Sequence, residues 1–363
     1  MKILLIGEYS NVHATLAEGL RELGHEVTVV SDGDSFKNYP RDIDVSRRPG
    51  KIGGLQLMAR LYALLPQLRG YDVVQLINPM FFELKAERLF WFYRYLRKHN
   101  KRVFLGAFGM DWYWVHTCTY NKPLRYSDFN IGNEVRTDAE AVKYQRDWLG
   151  TAKERLNKMI ADDCDGIIAG LYENWACYHP VFADKTTFIP YPIKMPESYH
   201  TERANDTAVV IFIGINRERS AYKGTDIMLQ AAKDVLKKYP QRMQLNIAES
   251  VPFAEYSRMM EGSDAILDQL YAYTPSMNPL LAMSKGIICI GGGEPENYEI
   301  INETELRPII NVEPTYESVY QELESLVNNP ERIPELKRQS VAYIRKHHDY
   351  IKVAQRYLDF WTK

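Results

Sequence analysis

The sequence has few cysteines, almost no excess charge and no long apolar segment, and each shortage excludes a class of protein. Its 363 residues include only four cysteines, too few and too scattered for a disulfide scaffold or a zinc cluster. Lys and Arg number 45 against 47 Asp and Glu, so the net charge of −2 provides no global field for binding nucleic acid. No run of about 18 mainly apolar residues is present, and the first apolar run is too short for a signal peptide. We therefore expect a soluble cytoplasmic protein.

Both halves of the sequence alternate short apolar runs with segments of helical periodicity. The apolar run 2–6 is followed by a leucine repeat at helical spacing and then by the apolar run 27–30. A longer helix is expected from about Ala139 to Asp162, and a second alternating half begins at Val209. Strands alternating with helices in a chain of this length predict two domains with parallel sheets. The expected fold is therefore α/β, with two Rossmann-like doubly wound domains that face each other across a cleft.

A proline-rich stretch divides the two halves. Residues 189–196 contain three prolines in eight positions, a composition typical of a linker. We expect an N-terminal domain over residues 1–195 and a second domain over residues 196–345. Residues 346–363 are predicted to form a C-terminal helix that packs back on the N-terminal domain.

The first motif with chemical potential follows the strand that opens the second half. Gly214 and Asn216 precede Arg217, and Lys223 lies six positions after that arginine, before the next helix. A strand-to-helix loop offers backbone N–H groups and a helix N-terminus to an anion, and two cations there can bind a diphosphate. The alternative is a solvated loop in which Thr225 or Asp226 simply caps the helix.

A glycine run is the second motif. Residues 291–293, which include Gly292 and Gly293, are all glycine and follow a buried strand. Glycines let the backbone approach a ligand closely, and Pro295 can begin a helix aimed at it, with Glu296 in its first turn. The alternative is a glycine turn that only connects a strand to a helix.

Taken in their order along the chain, these motifs resemble those of glycosyltransferase family 4. Members of that family are retaining enzymes of the GT-B fold and include bacterial capsule and lipopolysaccharide transferases. The resemblance covers nearly the whole chain. The matching segments are Gly7-Glu8-Tyr9-Ser10, Gly24-His25-Glu26-Val27, Gly109-Met110-Asp111, Ala161-Asp162, 166–169, 189–193, Asn216-Arg217, Lys223-Gly224, 264–270, Ala282-Met283, Gly286 and Pro295-Glu296.

The resemblance implies roles for individual residues. Arg217 and Lys223 would hold the donor diphosphate and neutralise it as it leaves, while a phosphate oxygen of the leaving group accepts the acceptor's proton. Asp111 would lie near the acceptor and the donor sugar, or else cap a helix. His13 would either face the cleft or pack in the core. The donor-binding residues would be Gly7, Glu8, Gly214, Asn216, Ser276, Asn278, Gly292, Gly293 and Glu296.

The sequence departs from the family at one place. The family usually carries two glutamates eight positions apart, and here those positions are Tyr273 and Leu281. The second glutamate holds the ribose hydroxyls in the family, a task that leucine cannot perform. The intervening segment must therefore be interpreted afresh: Ser276 and Asn278 either touch the donor sugar or cap the following helix.

Two basic stretches are candidates for contact with a membrane surface. Residues 88–102 interleave aromatic residues with six cations, and Arg47, Arg48 and Lys51 precede an apolar helix near residues 55–68. A basic amphipathic face can lie on anionic lipid. The alternative is that the aromatic residues enter the core and the cations face water.

The resulting expectation is a cytoplasmic retaining glycosyltransferase of hexosyltransferase type. It would move a sugar from a nucleotide-diphosphate sugar to a glycan or lipid-linked acceptor in surface polysaccharide synthesis, either free or peripheral on the inner face of the membrane. No metal is expected, because no Asp-x-Asp pair lies on a loop predicted to face the cleft. One alternative is a sugar-nucleotide 2-epimerase-like isomerase, which would need acid and base side chains around the sugar. The other is a non-catalytic nucleotide-sugar binding protein.

Overall fold

The structure, a computed structural model, describes residues 1–203, 207–251 and 253–363. Helices and short strands alternate along the chain, as its periodicity predicts. The elements of the first half are β1 (Lys2–Ile6), α1 (Val12–Glu22), β2 (Glu26–Ser31), β3 (Ile43–Asp44), α2 (Gly50–Leu64), β4 (Val73–Leu76), α3 (Ala86–His99), β5 (Arg102–Ala107), α4 (Trp112–His116), β6 (Asn130–Ile131), β7 (Glu134–Val135), α5 (Ala139–Trp148), α6 (Ala152–Asp163), β8 (Gly166–Ala169), α7 (Tyr172–Tyr178) and β9 (Thr186–Phe188). Those of the second half are β10 (Val209–Ile215), α8 (Ser220–Lys223), α9 (Thr225–Lys238), β11 (Met243–Glu249), α10 (Phe253–Met260), β12 (Ala265–Leu267), α11 (Met277–Ser284), β13 (Ile288–Ile290), α12 (Pro295–Glu299), α13 (Tyr316–Asn328), α14 (Ile333–Tyr343) and α15 (Tyr350–Trp361).

The chain forms two compact units, and their limits are not those of a simple division into halves. The first unit comprises Met1–Pro123, Lys143–Pro192 and Tyr350–Lys363. The second comprises Leu124–Val142 and Ile193–Asp349. We call Leu124–Val142 the crossing segment, because it lies in the first half of the sequence and packs with the second unit.

The first unit is built on a seven-stranded parallel sheet in the order β3-β2-β1-β4-β5-β8-β9. Ile3 of the central strand β1 pairs with Val27 of β2 on one side and with Val73 of β4 on the other. From Ile3 to Ile6 this strand has no solvent exposure. Parallel strands that are buried on both faces are continuous apolar runs, and that pattern is what the sequence shows.

Helix α15 completes the first unit by packing on α1. A Cβ added at Gly19 of α1 would lie 2.5 Å from the carbonyl oxygen of Tyr350, so the helices approach at a distance that only glycine allows. Trp361 is 1% exposed, and its Nε1 donates to the side-chain oxygen of Gln75 at 3.3 Å. The C-terminal helix is therefore part of the core of this unit.

The helix expected from Ala139 to Asp162 is two helices in the structure, α5 and α6. Gly150 interrupts it with φ of +70°, a conformation that glycine adopts readily and that a continuous helix does not contain. The hydroxyl of Thr151 then accepts a hydrogen bond from the Lys153 N–H at 3.2 Å and caps the second helix. The prediction of one helix was wrong because it followed the apolar periodicity across this glycine.

The second unit contains a four-stranded parallel sheet in the order β11-β10-β12-β13. One buried carboxylate of this unit has a buried cation as its partner: Asp264, just before β12, accepts from the Val210 N–H at 3.0 Å and from Lys337 Nζ at 2.9 Å. The packed cluster beside the sheet consists of Phe212, Ala248, Met260, Ile266, Ala282 and Ile287.

The crossing segment has its own local structure. Its strands β6 and β7 form a short antiparallel hairpin in which Ile131 pairs with Glu134, and Gly132 in the turn has φ of +56°. The buried Asn130 side chain donates from Nδ2 to the carbonyl oxygens of Leu124 and Gly132, at 3.0 Å each. These bonds replace the regular ladder that so short a hairpin lacks.

Candidate functional site

Three loops of the second unit meet at the carboxyl ends of adjacent strands. They follow β10, β12 and β13, which are neighbours in the sheet. The Leu270 N–H donates to the carbonyl oxygen of Lys223 at 2.9 Å, and the Glu294 N–H donates to that of Tyr273 at 3.3 Å. The loops therefore support one another at the edge where open α/β sheets bind their ligands.

The first loop carries the predicted cations. Arg217 has an 81% exposed side chain that forms an ion pair with Glu249 at the end of β11. The Asn216 side chain accepts from the Glu218 N–H at 3.1 Å, so it caps the short helical turn that presents this arginine. An exposed ion pair of this kind contributes little stability, so the guanidinium can exchange its partner for a phosphate at small cost.

The same loop ends at a glycine that packing requires. Gly224 has φ of +71°, and a Cβ there would lie 2.5 Å from the Cβ of Leu270. Helix α9 begins at Thr225, whose hydroxyl bonds the Ser220 hydroxyl at 2.9 Å and provides no cap. The N-cap is Gly224, so the sequence-based alternative of Thr225 or Asp226 as the N-cap is wrong, and Lys223 lies just before that glycine.

The second loop adds a carboxyl group that the sequence argument missed. Asp268 follows β12, and burial raises its pKa, while the charge of Lys223 and hydrogen bonds from Asn278 and Gln269 oppose that rise. Asn278 Nδ2 also donates to the Tyr256 hydroxyl at 2.8 Å. Its position immediately after a buried strand is the sequence feature that could have identified Asp268 as a candidate site residue. Ser276 stands at the start of α11 but makes no capping bond.

The third loop is the glycine run, and its glycines are required by packing. Gly292 has φ of +55°, and a Cβ there would lie 3.3 Å from the backbone of Thr274. A Cβ at Gly293 would lie 2.7 Å from Ile309, and its N–H donates to the Asn311 side chain at 3.0 Å. Gly214, near the end of β10, is required for the same reason, because a Cβ there would lie 2.4 Å from the ring of Tyr256.

The crossing segment neutralises the carboxylates that follow the glycine run. Arg125 donates to Glu296 at 2.5 and 3.1 Å and to Glu294 at 2.7 Å, and Tyr126 donates its hydroxyl to Glu294. The hydrogen bond from Arg125 lowers the pKa of Glu296 below its usual value. Tyr273 accepts the Arg125 backbone N–H at 2.7 Å. Glu296, predicted to bind the donor, is therefore already occupied by an arginine.

The crossing segment also holds the cationic loop. Arg136, 9% exposed, donates to the carbonyl oxygen of Ala221 at 2.9 Å, and its guanidinium lies 3.9 Å from the ring centre of Tyr271. The Tyr222 hydroxyl donates to Asp128 at 2.7 Å. These contacts join the crossing segment to α8, which is distant in sequence, and no local sequence pattern indicates this pairing.

Three cations lie close enough to Asp128 to act on its carboxyl group. Burial raises the pKa of this carboxyl, while Arg136, Arg219 and Lys223 act against that rise through their charges. Arg219 also pairs with Glu140 of the crossing segment at 2.9 Å. The second unit therefore has a cationic cluster beside the N-terminus of α9, an arrangement suited to a phosphate group.

The remaining predicted residues belong to the first unit, where Glu8 caps a helix. Its carboxylate, 2% exposed, accepts from the N–H groups of Ala14 at 2.8 Å and His13 at 3.3 Å, and burial raises its pKa to about 7. Burial lowers the pKa of His13 to about 3, so its ring is neutral. Gly7 has φ of +84°, and a Cβ there would lie 2.2 Å from Ile77.

Asp111 is also a helix cap in the structure. Its buried carboxylate accepts from the Trp114 N–H at 2.8 Å and from the Tyr178 hydroxyl at 2.7 Å. Burial raises its pKa to about 6. Both oxygens are engaged and the side chain has no solvent exposure, so the geometry favours the capping alternative over contact with a sugar.

The part of the chain that the structure describes contains neither a metal-binding cluster nor a membrane-spanning helix. No group of three or more His, Cys, Asp or Glu side chains there is arranged to hold a metal ion. Among the same residues, no helix combines the length and hydrophobicity needed to cross a bilayer.

Comparison with known proteins finds solved structures of similar fold. No family profile and no curated protein matches the sequence. Sucrose-phosphate synthase from Thermosynechococcus elongatus is similar with a TM-score of 0.66 and 12% identity, over 100% of this chain and 98% of that chain. HepE from Anabaena, solved in complex with UDP and glucose, gives a TM-score of 0.60 and 11% identity over 100% of both chains. The lipopolysaccharide outer core galactosyltransferase WaaB in its apo form gives a TM-score of 0.55 and 13% identity over 99% of both chains. The predicted GT-B type of α/β fold is therefore confirmed.

Proposed function

We propose that this protein is a glycosyltransferase that moves a sugar from a nucleotide-diphosphate donor to a glycan or lipid-linked acceptor. The observation that carries the proposal is the cationic cluster of Arg217, Arg219, Lys223 and Arg136 at the carboxyl edge of the second sheet. A diphosphate is the leaving group of nucleotide sugars, and its negative charge grows as the sugar departs. The UDP and glucose bound to HepE, a protein of the same fold, support this assignment.

In the proposed reaction the two loop cations stabilise the leaving diphosphate. Arg217 leaves Glu249 and pairs with the phosphates, and Lys223 approaches them from the N-terminus of α9. The mechanism is retaining: a phosphate oxygen of the departing group accepts the proton of the acceptor hydroxyl, so no protein base is required. The cations supply the charge that a metal ion would otherwise provide, so the reaction proceeds without metal.

We further propose a cytoplasmic role in the synthesis of surface polysaccharide, with hexoses as the transferred sugars. WaaB, a lipopolysaccharide outer core galactosyltransferase that matches this chain over its full length, supports this assignment.

The test is incubation of the protein with a panel of nucleotide sugars, with and without glycan acceptors. Release of free nucleotide together with a glycosylated acceptor is the expected result. Conversion of the donor to an epimer without release of nucleotide would identify an isomerase and overturn the proposal.

A second candidate, a non-catalytic nucleotide-sugar binding protein, is favoured by one observation. Tyr273 and Leu281 stand where the family carries glutamates, and the nearby Glu296 is bound to Arg125. Donor binding measured by calorimetry, without turnover for any acceptor, would support that function instead.

A further inference from the structure

The first unit carries an apolar stripe that its own core leaves uncovered. On α2, Ile52 is 72% exposed, Leu55 70% and Tyr62 46%, and Ala59 between them is also exposed. Their spacing of three, four and three residues places them along one face of the helix. Trp91 of α3 is 44% exposed, and its ring centre lies 5.2 Å from that of Tyr62, so the stripe continues onto a second helix. A contiguous exposed apolar surface of this kind indicates an interaction site.

Exposed cations surround one end of the stripe. Arg47, Arg48 and Lys51 lie just before and within the first turn of α2 and are exposed. That turn contains no acidic residue, and Pro49 at the N-cap makes no side-chain hydrogen bond. A helix N-terminus carries positive partial charge, so cations there are unfavourable in the isolated protein and favourable beside an external anion.

The exposed residues of the chain segment that contains α2 and α3 carry an excess of the same charge. Between residues 47 and 98, the exposed side chains include nine Lys or Arg and two Glu. The whole chain has a net charge of −2, so this excess is local. Apolar side chains together with a local positive field match a surface that is both apolar and anionic.

We propose that this docking face, the stripe of Ile52, Leu55, Tyr62 and Trp91 with its flanking cations, binds the surface of an anionic lipid bilayer. The apolar and aromatic side chains enter the interface between headgroups and acyl chains, and the cations pair with lipid phosphates. The inference goes beyond the proposed sugar transfer, because it depends only on the first unit and requires no donor or acceptor.

The test is co-sedimentation with vesicles of phosphatidylcholine, with and without phosphatidylglycerol. We expect binding only to the anionic vesicles, weakening as ionic strength rises. The double variant Arg48→Gln/Lys51→Gln should bind about thirtyfold more weakly, from about 1 kcal/mol for each cation. The affinity of the double variant Ile52→Ser/Leu55→Ser for anionic vesicles should fall about tenfold or more for each apolar side chain removed from the interface.

A matched control is Val181→Ser/Lys233→Gln, which changes an apolar residue 59% exposed in the first unit and an exposed cation of the second. It should bind vesicles as the unmodified protein does. Because all these positions are exposed, the melting temperatures should also agree. Equal binding to both vesicle types, or unchanged binding by the docking-face variants, would overturn the proposal. So would a shift in oligomeric state by Ile52→Ser/Leu55→Ser in sedimentation velocity without vesicle binding, since the face would then be a protein interface.

Discussion

Replacing Arg136 by methionine should both destabilise the second unit and weaken nucleotide binding. Methionine keeps much of the side-chain length but has no charge and no donors. The variant loses the hydrogen bond to the carbonyl oxygen of Ala221 and the contact with the Tyr271 ring. It also leaves Asp138, whose oxygen lies 3.1 Å from this guanidinium, without its cation.

The size of the effect follows from these contacts. A hydrogen bond to a charged group contributes about 1.5–3 kcal/mol, and a desolvated cation–π contact about 2 kcal/mol. The contributions of one side chain are not additive and methionine retains some packing, so we expect a loss of about 3 kcal/mol. For a unit of this size that loss lowers Tm by about 6–12 °C. The freed α8 must also be ordered again when a diphosphate binds, so the affinity for UDP should fall.

Thermal unfolding and calorimetric titration with UDP measure the two effects. The Tm and the UDP affinity of Arg136→Lys should lie between those of the unmodified protein and those of Arg136→Met. Lysine keeps the charge but lacks the planar guanidinium that reaches several acceptors. Arg258→Met, at an exposed arginine of the same unit, is the matched control and should change neither quantity. An Arg136→Met protein with unchanged Tm would refute the structural argument. A lowered Tm with unchanged UDP affinity would show that this arginine supports the fold without positioning the loop.

Four other predictions test the two units separately. Arg217→Ala and Lys223→Ala should each reduce kcat about a hundredfold, the loss of about 3 kcal/mol typical of one preorganised donor, and the exposed Arg217 should do so with little change in Tm. A chelator should leave turnover unchanged, and activity restored only by Mg²⁺ or Mn²⁺ would contradict the proposed cation mechanism. Burial raises the pKa of Glu8 in the folded protein from 4.5 to about 7. The folded protein therefore favours the protonated carboxyl group. The resulting stabilisation is fully present below pH 4.5 and is lost as the pH rises through 7. Relative to Glu8→Gln, stability should therefore fall by about 3 kcal/mol over that range, as chemical denaturation at several pH values would show. Because Leu281 cannot accept ribose hydroxyl bonds, UDP and 2′-deoxy-UDP should bind alike in calorimetry. A tenfold lower affinity for the deoxy form would show that a polar group elsewhere in the site binds the 2′-hydroxyl.

The parts of the fold that the sequence predicts are those determined by local pattern. Buried parallel strands are apolar runs, so β1, β2 and β10 were visible as such, and the loop from Gly214 to Lys223 was located by its position after a strand. The glycines of the run 291–293 were also recognisable, although the structure shows that protein packing alone requires them. Local pattern could not distinguish this cause from a ligand, because both demand the absence of a Cβ.

The parts that the sequence does not predict depend on distant contacts. Arg125 and Glu294 are 169 residues apart in the chain, and nothing near either residue indicates the other. The same holds for Tyr222 and Asp128, 94 residues apart. Glu8 has polar neighbours in sequence that gave it the appearance of a binding residue. Its two bonds to the N-terminus of α1 depend on a turn at residues 10 and 11 with positive φ, which side-chain chemistry alone does not indicate.

The crossing segment gives a structural reason for a tyrosine, rather than a glutamate, at position 273. The Tyr273 hydroxyl accepts the backbone N–H of Arg125, and its ring packs with that of Tyr126 at 4.8 Å. A glutamate there would lack the ring and would add a third carboxylate beside Glu294 and Glu296, which already share one arginine. Residue 273 therefore cannot both anchor the crossing segment in this way and carry a carboxylate. Arg125 neutralises the local carboxylates. If the proposed function holds, the cations of this unit complement the diphosphate of the donor, and donor affinity should depend on the phosphates more than on the ribose.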